Sequence, residues 1–372
     1  MQDRNLRVLE FPKILAMLRE LAVTDSGKAR IDALSPSSDP GTVRMWQAQT
    51  EEASVLMAYL GASPVLYFED VSGPVKIAAV GGTLGCKALL NVAEALKAAR
   101  GLRAALVTDR QNTPLITQLA SHLSTYRELE EEIFNAILSE DEVADRASPE
   151  LYDIRRHIRQ LNDRMRDKLN SYVRSASLQK YLQDAIITMR NGRYVLPVKA
   201  ECRQFVPGLI HDQSATGATI FVEPMAVVEA GNDLKQWMAK EQKEIERILL
   251  ALSQKIAPEA ALIENNLTIM AELDMIFAKA HLSRAMRAVE PKLNCEGRVN
   301  LISARHPLID AEKVVPINLW LGGEFTTLII TGPNTGGKTV TLKTVGLLTL
   351  MAQAGLQIPA MLGSELAVFD EV

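Results

Sequence analysis

Apolar residues recur at helical spacing through most of this chain. Residues 4–22 carry them at Leu6, Leu9, Phe11, Ile14, Leu15, Leu18 and Leu21, a stripe that predicts an amphipathic helix. Similar patterns predict helices over 40–61, 87–108, 114–123, 126–139 and 259–288. Thr24 or Ser26 can cap a further helix that ends before Pro36. Prolines and glycines between 63 and 85 predict loops and turns. The pattern therefore favours a mostly α-helical protein.

Two narrower stripes lie in the middle of the chain. The first is spaced like heptads and begins after Ser148, a plausible N-cap; it comprises Leu151, Ile154, Ile158, Leu161, Met165, Leu169 and Tyr172. The second comprises Leu234, Met238, Glu241, Ile245, Ile248 and Leu252. Between them, 194–199, 208–211 and 218–222 carry strand signals. We expect a long antiparallel coiled-coil arm with a small β insert; an ordinary helical bundle is the alternative.

The last part of the chain changes to an α/β pattern. Residues 297–302, 314–321 and 325–331 read as extended, and the last of these has the β-branched and aromatic composition of a buried strand. Gly332–Thr339, GPNTGGKT, then fits the pattern G-x-x-x-x-G-K-[ST] at every fixed position. Apolar residues resume at helical spacing from Val340. This order of strand, glycine loop and helix predicts a phosphate-binding P-loop.

The predicted loop has a definite chemistry. Its glycines allow backbone amides to converge on phosphate oxygens at the positive end of the following helix. Lys338 is expected to reach the β- and γ-phosphates of ATP, and the Thr339 hydroxyl to bind Mg²⁺. These two are the candidate catalytic residues. The candidate nucleotide-binding residues are Gly332, Pro333, Asn334, Thr335, Gly336, Gly337, Lys338, Thr339 and Val340.

Composition narrows the class of protein. With 47% hydrophobic and 23% charged residues, the chain resembles ordinary soluble globular proteins. No stretch has the length and apolarity of a membrane span, and the start, MQDRNLRVLEF, lacks a signal-peptide core. The three cysteines are far apart, which favours neither a disulfide framework nor a metal knuckle. We therefore expect a cytoplasmic protein without a membrane partner.

Charge is unevenly distributed. The net charge is −4, but residues 151–203 contain 12 Lys or Arg against 5 Asp or Glu. A basic segment in an acidic chain is a candidate polyanion contact, and a solvated helix face is the alternative. The residues predicted to contact a nucleic-acid backbone are Arg155, Arg156, Arg159, Arg164 and Arg166.

Several motifs together resemble the second bacterial MutS-type family. They are the helical start NLRVLEF, RYVLPVK at 193–199, HDQSATGATIFVEP at 211–224, the ELD of residues 272–274, ARHPLID, and GPNTGGKT with its helix. The resemblance covers essentially all 372 residues.

The resemblance implies more than the residues alone. It implies a homodimer with composite ATP sites and an arm that closes around a polyanion. The function implied is suppression of homologous recombination through branched or double-stranded DNA, or splitting of collided ribosomes through contacts with rRNA. Val315, Pro316 and Ile317 fall where the family packs the adenine, and His306 is expected to order the edge of the nucleotide site.

The resemblance also implies a domain division. It predicts an N-terminal helical core at 1–146, the arm at 147–257 with its clamp-like insert at 191–224, a return to the helical core at 258–292, and the first half of a P-loop ATPase domain at 293–372.

One departure from the family concerns the end of the sequence. A Walker B strand, a signature loop acting across the dimer and a Smr nuclease-like domain are expected beyond Val372, and Asp370-Glu371 imitates Walker B too early in the chain. We therefore expect a fragment that does not hydrolyse ATP alone. One alternative is a non-catalytic DNA- or ribosome-binding scaffold that holds nucleotide structurally. A condensation-type coiled-coil ATPase fits less well, because its P-loop precedes its arm.

Overall fold

The computed structural model describes residues 3–108, 112–332 and 337–372, and helices dominate it. The helices are α1 (Asp3–Val8), α2 (Phe11–Arg19), α3 (Asp25–Asp32), α4 (Pro40–Leu60), α5 (Ser72–Ala79), α6 (Cys86–Leu106), α7 (Pro114–Ser121), α8 (Arg127–Ala136), α9 (Pro149–Arg174), α10 (Ala176–Gln179), α11 (Met225–Ile256), α12 (Ala260–Met286) and α13 (Lys338–Gln353). The prediction of a mostly α protein with some β structure is confirmed. In the described ranges, none of these helices combines the length and apolarity needed to span a lipid bilayer.

The strands form two four-stranded sheets and one small hairpin. They are β1 (Ile137–Ser139), β2 (Glu142–Val143), β3 (Thr188–Arg190), β4 (Arg193–Lys199), β5 (Gly208–Gln213), β6 (Thr219–Pro224), β7 (Lys292–Asn294), β8 (Val299–Ala304), β9 (Ile317–Leu321) and β10 (Glu365–Ala367). One sheet has the order β3-β4-β6-β5 and is antiparallel throughout. The other has the order β7-β10-β8-β9, in which only β7 and β10 are parallel.

Contacts divide the chain into two compact units. Unit 1 comprises residues 1–79, 91–130 and 256–372, and unit 2 comprises 80–90 and 131–255. The two termini of the chain therefore belong to one unit, and the arm region belongs to the other.

The core of unit 1 joins the start of the chain to α13. Phe11, Ile14 and Leu18 of α2 are fully buried in one cluster with Leu347 and Leu350 of α13. The same cluster includes Val299 and Leu301 of β8. Burial of these side chains is the main force that fixes α13 to the N-terminal helices.

Helix α12 crosses unit 1 as a buried element, and the ELD motif lies on it. Asp274 accepts hydrogen bonds from the backbone N–H groups of Val23 and Thr24 and from the Thr24 hydroxyl, at 3.1, 2.7 and 2.6 Å. The Thr24 hydroxyl in turn accepts from Gly27 N–H and caps α3, as predicted. Asp274 is thus a structural anchor for the start of α3.

Unit 2 contains two long helices that run antiparallel, as successive contacts show. Ser148, just before α9, donates to Glu244 of α11 at 2.6 Å; Arg155 pairs with Glu241 at 2.7 Å; and the rings of His157 and Trp237 stack at 4.5 Å. Because residue numbers rise on α9 as they fall on α11, the helices have opposite directions. The coiled-coil description itself stays a prediction.

The predicted strands of the β insert are confirmed as β4, β5 and β6. Inward residues of this sheet, Leu196, Val198 and Val222, pack on Leu169 of α9 and Val227 of α11. The insert therefore has its own small apolar core at the junction with the two long helices.

Three local predictions need correction. The helix expected over 4–22 is broken at Glu10, which adopts a left-handed conformation with φ 63°. The segment 63–85, expected to be loop, contains α5, whose apolar face buries Val75 and Ala78. Residues 325–331 form no strand, and Ile329 is 81% exposed. β structure needs a hydrogen-bonded neighbour, and the described strands leave this segment outside both sheets.

Candidate functional site

The loop before α13 is described at its two ends, while predicted residues Pro333, Asn334, Thr335 and Gly336 lie outside the described residues. Gly332 has φ 140° and Gly337 has φ 80°, conformations that glycine adopts at little cost. Gly337 is also the N-cap of α13, and no side chain caps this helix end. Because glycine has no side chain, this N-cap residue leaves the first backbone N–H groups of α13 uncapped, and such groups can bind phosphate.

The Lys338 side chain reaches back from the first residue of α13 to the start of this loop. Its ammonium group donates a hydrogen bond to the carbonyl oxygen of Gly332, six residues earlier. Thr339 and Val340 are exposed on the first turn of α13. A flexible cation, an exposed hydroxyl and a helix N-terminus therefore occur together, a set that fits a nucleotide phosphate with Mg²⁺. ATP and Mg²⁺ themselves remain predictions.

The predicted adenine contacts lie in the connection between β8 and β9. Ile317 is the first residue of β9 and pairs with Ala304, while Val315 is 79% exposed. Val315 therefore offers an uncovered apolar surface, and its contact with adenine stays a prediction.

His306 in the same connection is buried, and burial lowers the pKa of its imidazole. Its Nδ1 accepts a hydrogen bond from the Leu308 N–H at 3.3 Å. The neighbouring Arg305 donates to the carbonyl oxygens of Met286 and Arg287, where α12 ends. These contacts give the RHP residues a positioning role in unit 1.

The structure adds two residues that sequence reasoning missed. Lys343 of α13 forms an ion pair with Glu10 at 2.8 Å, and Glu10 also pairs with Lys13 at 2.5 Å. Hydrogen bonds from Lys13 first and Lys343 second lower the pKa of Glu10 to about 2. Because 333 residues separate Glu10 from Lys343 in sequence, no local pattern could have indicated this pair.

The C-terminal end of α13 is held very differently from its N-terminal end. Gly355 has φ 74°. Its N–H donates to the carbonyl oxygen of Ala352, and the N–H of Leu356 donates to that of Met351; together these bonds form a Schellman motif. Gln47 of α4 donates to Ala352 O and Leu356 O, both at 2.9 Å. This end is thus closed by backbone and by a buried side chain.

Two further buried side chains complete that closure. Thr50 donates to Gly355 O at 2.7 Å, and the ammonium group of Lys279 on α12 donates to Ala354 O at 2.8 Å. Lys279 also lies 5.2 Å from the centroid of the Trp46 ring. Desolvation by burial lowers the pKa of Lys279 to about 7. The carbonyls that end α13 therefore bind α4 and α12.

The five predicted arginines of α9 are not equivalent. Arg155 is 17% exposed and donates to Asp145, Glu241 and the carbonyl oxygen of Val143. Arg159 is exposed and pairs with Asp145 at 3.0 Å. Arg156, Arg164 and Arg166 are exposed, and Arg166 lies over the Tyr194 ring. Arg155 stabilises unit 2, whereas the other four present charge to solvent.

The polar segment after β4 ends in a buried charged cluster. Glu223, which has no exposed surface, accepts from Arg193 at 3.2 Å and contacts His211 Nε2 at 2.7 Å. Arg193 also donates to Asn232 of α11 at 2.6 Å. The cluster ties β4, β5, β6 and α11 together, which gives His211 a structural role that the sequence did not indicate.

Comparison with known proteins adds a family assignment. Residues 328–372 match the family model described as MutS domain V. This match begins beside the glycine loop and includes α13 and β10.

Three curated proteins that are similar to the chain share the name endonuclease MutS2. The chain is 50% identical over 374 aligned residues to an endonuclease MutS2 from Alkaliphilus oremlandii. It is 45% identical over 375 residues to proteins of the same name from Acetivibrio thermocellus and Clostridioides difficile. Each alignment covers 100% of this chain and 47% of the relative, so the chain spans about half the length of the relatives it matches.

Proposed function

Because this chain belongs to the MutS2 family along all of its 372 residues, we propose that it is the ATP-binding and partner-gripping part of a homodimeric, cytoplasmic clamp protein. The observation that carries the proposal is the loop before α13, where Lys338 and an uncapped helix end occur together. In the full-length protein, ATP binding would close the dimer and move the arm around a polyanion. Lys338 would stabilise phosphate charge, and Thr339 would hold Mg²⁺.

The proposed partner is branched DNA, whose capture suppresses recombination, or the rRNA of collided ribosomes, which the protein would split. Both present a phosphate backbone, and α9 offers exposed arginines that bind phosphate without reading sequence. The name of the relatives extends the proposal to a nuclease activity elsewhere in the full-length protein.

A competition experiment tests the choice of partner. The full-length protein, with ATP and Mg²⁺ near physiological salt, is offered ribosomes and a four-way DNA junction together, and the complexes are separated by sedimentation. Capture by ribosomes would identify a translation-rescue ATPase, and capture by the junction would identify a recombination suppressor. Capture by neither, with no steady-state phosphate release, would leave only a scaffold that holds nucleotide structurally.

The arginine contact is tested separately by charge reversal. Changing Arg156, Arg164 and Arg166 to Glu should weaken binding of the nucleic-acid partner. The slope of the logarithm of the binding constant against the logarithm of the salt concentration should become shallower by about 0.9 for each lost phosphate contact. The matched control reverses the exposed residues Arg7, Lys76 and Arg284 of unit 1, which changes the net charge equally. Equal affinity and slope in both variants would show that the basic face of α9 is merely solvated.

A further inference from the structure

The turn between α1 and α2 contacts α13 at two points. Glu10 pairs with Lys343 at 2.8 Å, and the Leu9 side chain lies against Gly346. The contact at Gly346 is so close that an added Cβ would lie 2.8 Å from Leu9 Cδ2. Lys343 and Gly346 are three residues apart and therefore share one face of the helix. An ionic contact and a packing contact on one face restrict both rotation and sliding of α13.

The backbone of Glu10 is unusual in a way that serves this contact. Its φ of 63° and ψ of 23° place a non-glycine residue in the left-handed region, where most side chains are disfavoured. Such a conformation persists only where surrounding contacts stabilise it, and it often marks a functional position. The break directs the chain from α1 into α2 and holds Leu9 and Glu10 against α13.

The charges around Glu10 keep the pair ionised. A pKa of about 2 leaves the carboxylate charged at any pH near neutrality. His306, Lys13 and Lys343 are the groups with which Glu10 interacts electrostatically. Lys13 belongs to α2 and pairs with the same carboxylate from there. Among the described residues, Lys343 is the partner of this carboxylate that lies on α13, the helix that begins with Lys338.

We propose that Glu10 is a positioning residue of the nucleotide site: through Lys343, and together with Leu9 against Gly346, it orients α13 so that Lys338 and the first-turn amides face the phosphates. This inference rests on the proposed function and names a residue outside the glycine loop. The first turn of α13 needs such support, because Thr339 and Val340 are exposed and contribute little packing there. Lys343 lies just one to two turns from Lys338, so rotation of α13 at Lys343 redirects the Lys338 side chain.

The test measures MgATP affinity of the full-length protein and of Glu10→Gln, Lys343→Met and the double variant. Each single change should weaken binding about tenfold, a loss of about 1.4 kcal/mol. The double variant should lose no more than either single one, because all three break the same ion pair. The control is Lys13→Met, which removes the other partner of Glu10 and should leave affinity within about twofold of wild type, since the Glu10–Lys343 contact with α13 remains.

A packing change and a binding control complete the test. Gly346→Ala displaces Leu9 without altering charge and should also weaken MgATP binding severalfold, while thermal unfolding shows that the variants remain folded. Unchanged affinity in Glu10→Gln and Lys343→Met, with binding lost in Lys338→Ala, would overturn this inference alone. Absence of MgATP binding by the wild-type protein would overturn the proposed function and this inference together.

Discussion

The two ends of α13 differ in how their backbone groups are used. At the C-terminal end, the carbonyls of Ala352, Ala354 and Gly355 all accept hydrogen bonds from buried side chains of α4 or α12. At the N-terminal end, Gly337 provides no side-chain cap and Thr339 is exposed. One helix thus devotes one end to stability and leaves the other available for a ligand, so changes at the two ends should have separable effects.

The largest effect should come from the N-terminal end. Lys338→Ala removes the cation expected to contact the phosphates and should weaken MgATP binding by at least about 100-fold, or about 2.7 kcal/mol. The free energy of unfolding should change by no more than about 0.5 kcal/mol, because Lys338 lies at the partly exposed start of α13, outside the buried core. Calorimetric titration and denaturant unfolding measure the two quantities.

Lys76→Ala is the matched control for Lys338→Ala, because Lys76 is an exposed lysine in the same unit. It should change neither quantity. Wild-type nucleotide affinity in Lys338→Ala would show that the loop is not the nucleotide site. A large loss of stability would show that the N-terminal end of α13 also stabilises the fold.

The C-terminal end should show the opposite behaviour. Gln47→Met keeps the volume of the side chain but removes two donors, so Leu356 O and Ala352 O lose hydrogen bonds in a buried environment. We expect unfolding to become easier by about 2 kcal/mol. MgATP affinity of the folded variant should stay within about threefold of wild type, since α13 keeps its contacts with Leu9 and Glu10.

The exposed Gln118 of α7 provides the control for Gln47→Met. Gln118→Met should leave the free energy of unfolding nearly unchanged. If Gln47→Met weakened nucleotide binding as strongly as Lys338→Ala does, the two ends of α13 would not be separable.

Local signals were readable from the sequence, and they account for the parts of the fold that were predicted correctly. The caps at Thr24 and Ser148 depend on a hydroxyl and an amide three residues away, and both are confirmed. The β insert was predicted because turn residues and β-branched runs alternate over short distances. The glycine loop was predicted from its fixed spacing and from the helix that follows it, and its role in binding phosphate stays a prediction because its four central residues lie outside the described structure.

Features that depend on distant residues could not be predicted in the same way. Asp274 was visible only as part of a motif, because the amides that it binds lie about 250 residues earlier. The break at Glu10 interrupts a continuous apolar stripe, and the contacts of Leu9 and Glu10 with α13 lie 333 or more residues away in sequence. Residues 325–331 have strand composition, but a strand also needs a neighbour, which composition does not supply.

The smallest effect concerns Lys279, whose charge lies at the stable end of α13. Its pKa is about 7 in the folded protein, because burial disfavours the charged form, whereas an unfolded lysine titrates near 10.4. Between these values the unfolded chain binds more protons than the folded chain, so the free energy of unfolding rises with pH. Below about pH 7 both states are protonated, and this contribution no longer varies.

Lys279→Met should therefore abolish a pH-dependent gain in stability. From pH 7 to pH 8, the wild type should gain about 1 kcal/mol relative to the variant, as measured by denaturant unfolding at each pH. Lys76→Met, at an exposed site, should follow the wild type throughout. Parallel pH profiles for wild type and Lys279→Met would mean that Lys279 titrates as an ordinary lysine. The ammonium group at the C-terminal end of α13 would then stay charged throughout this pH range.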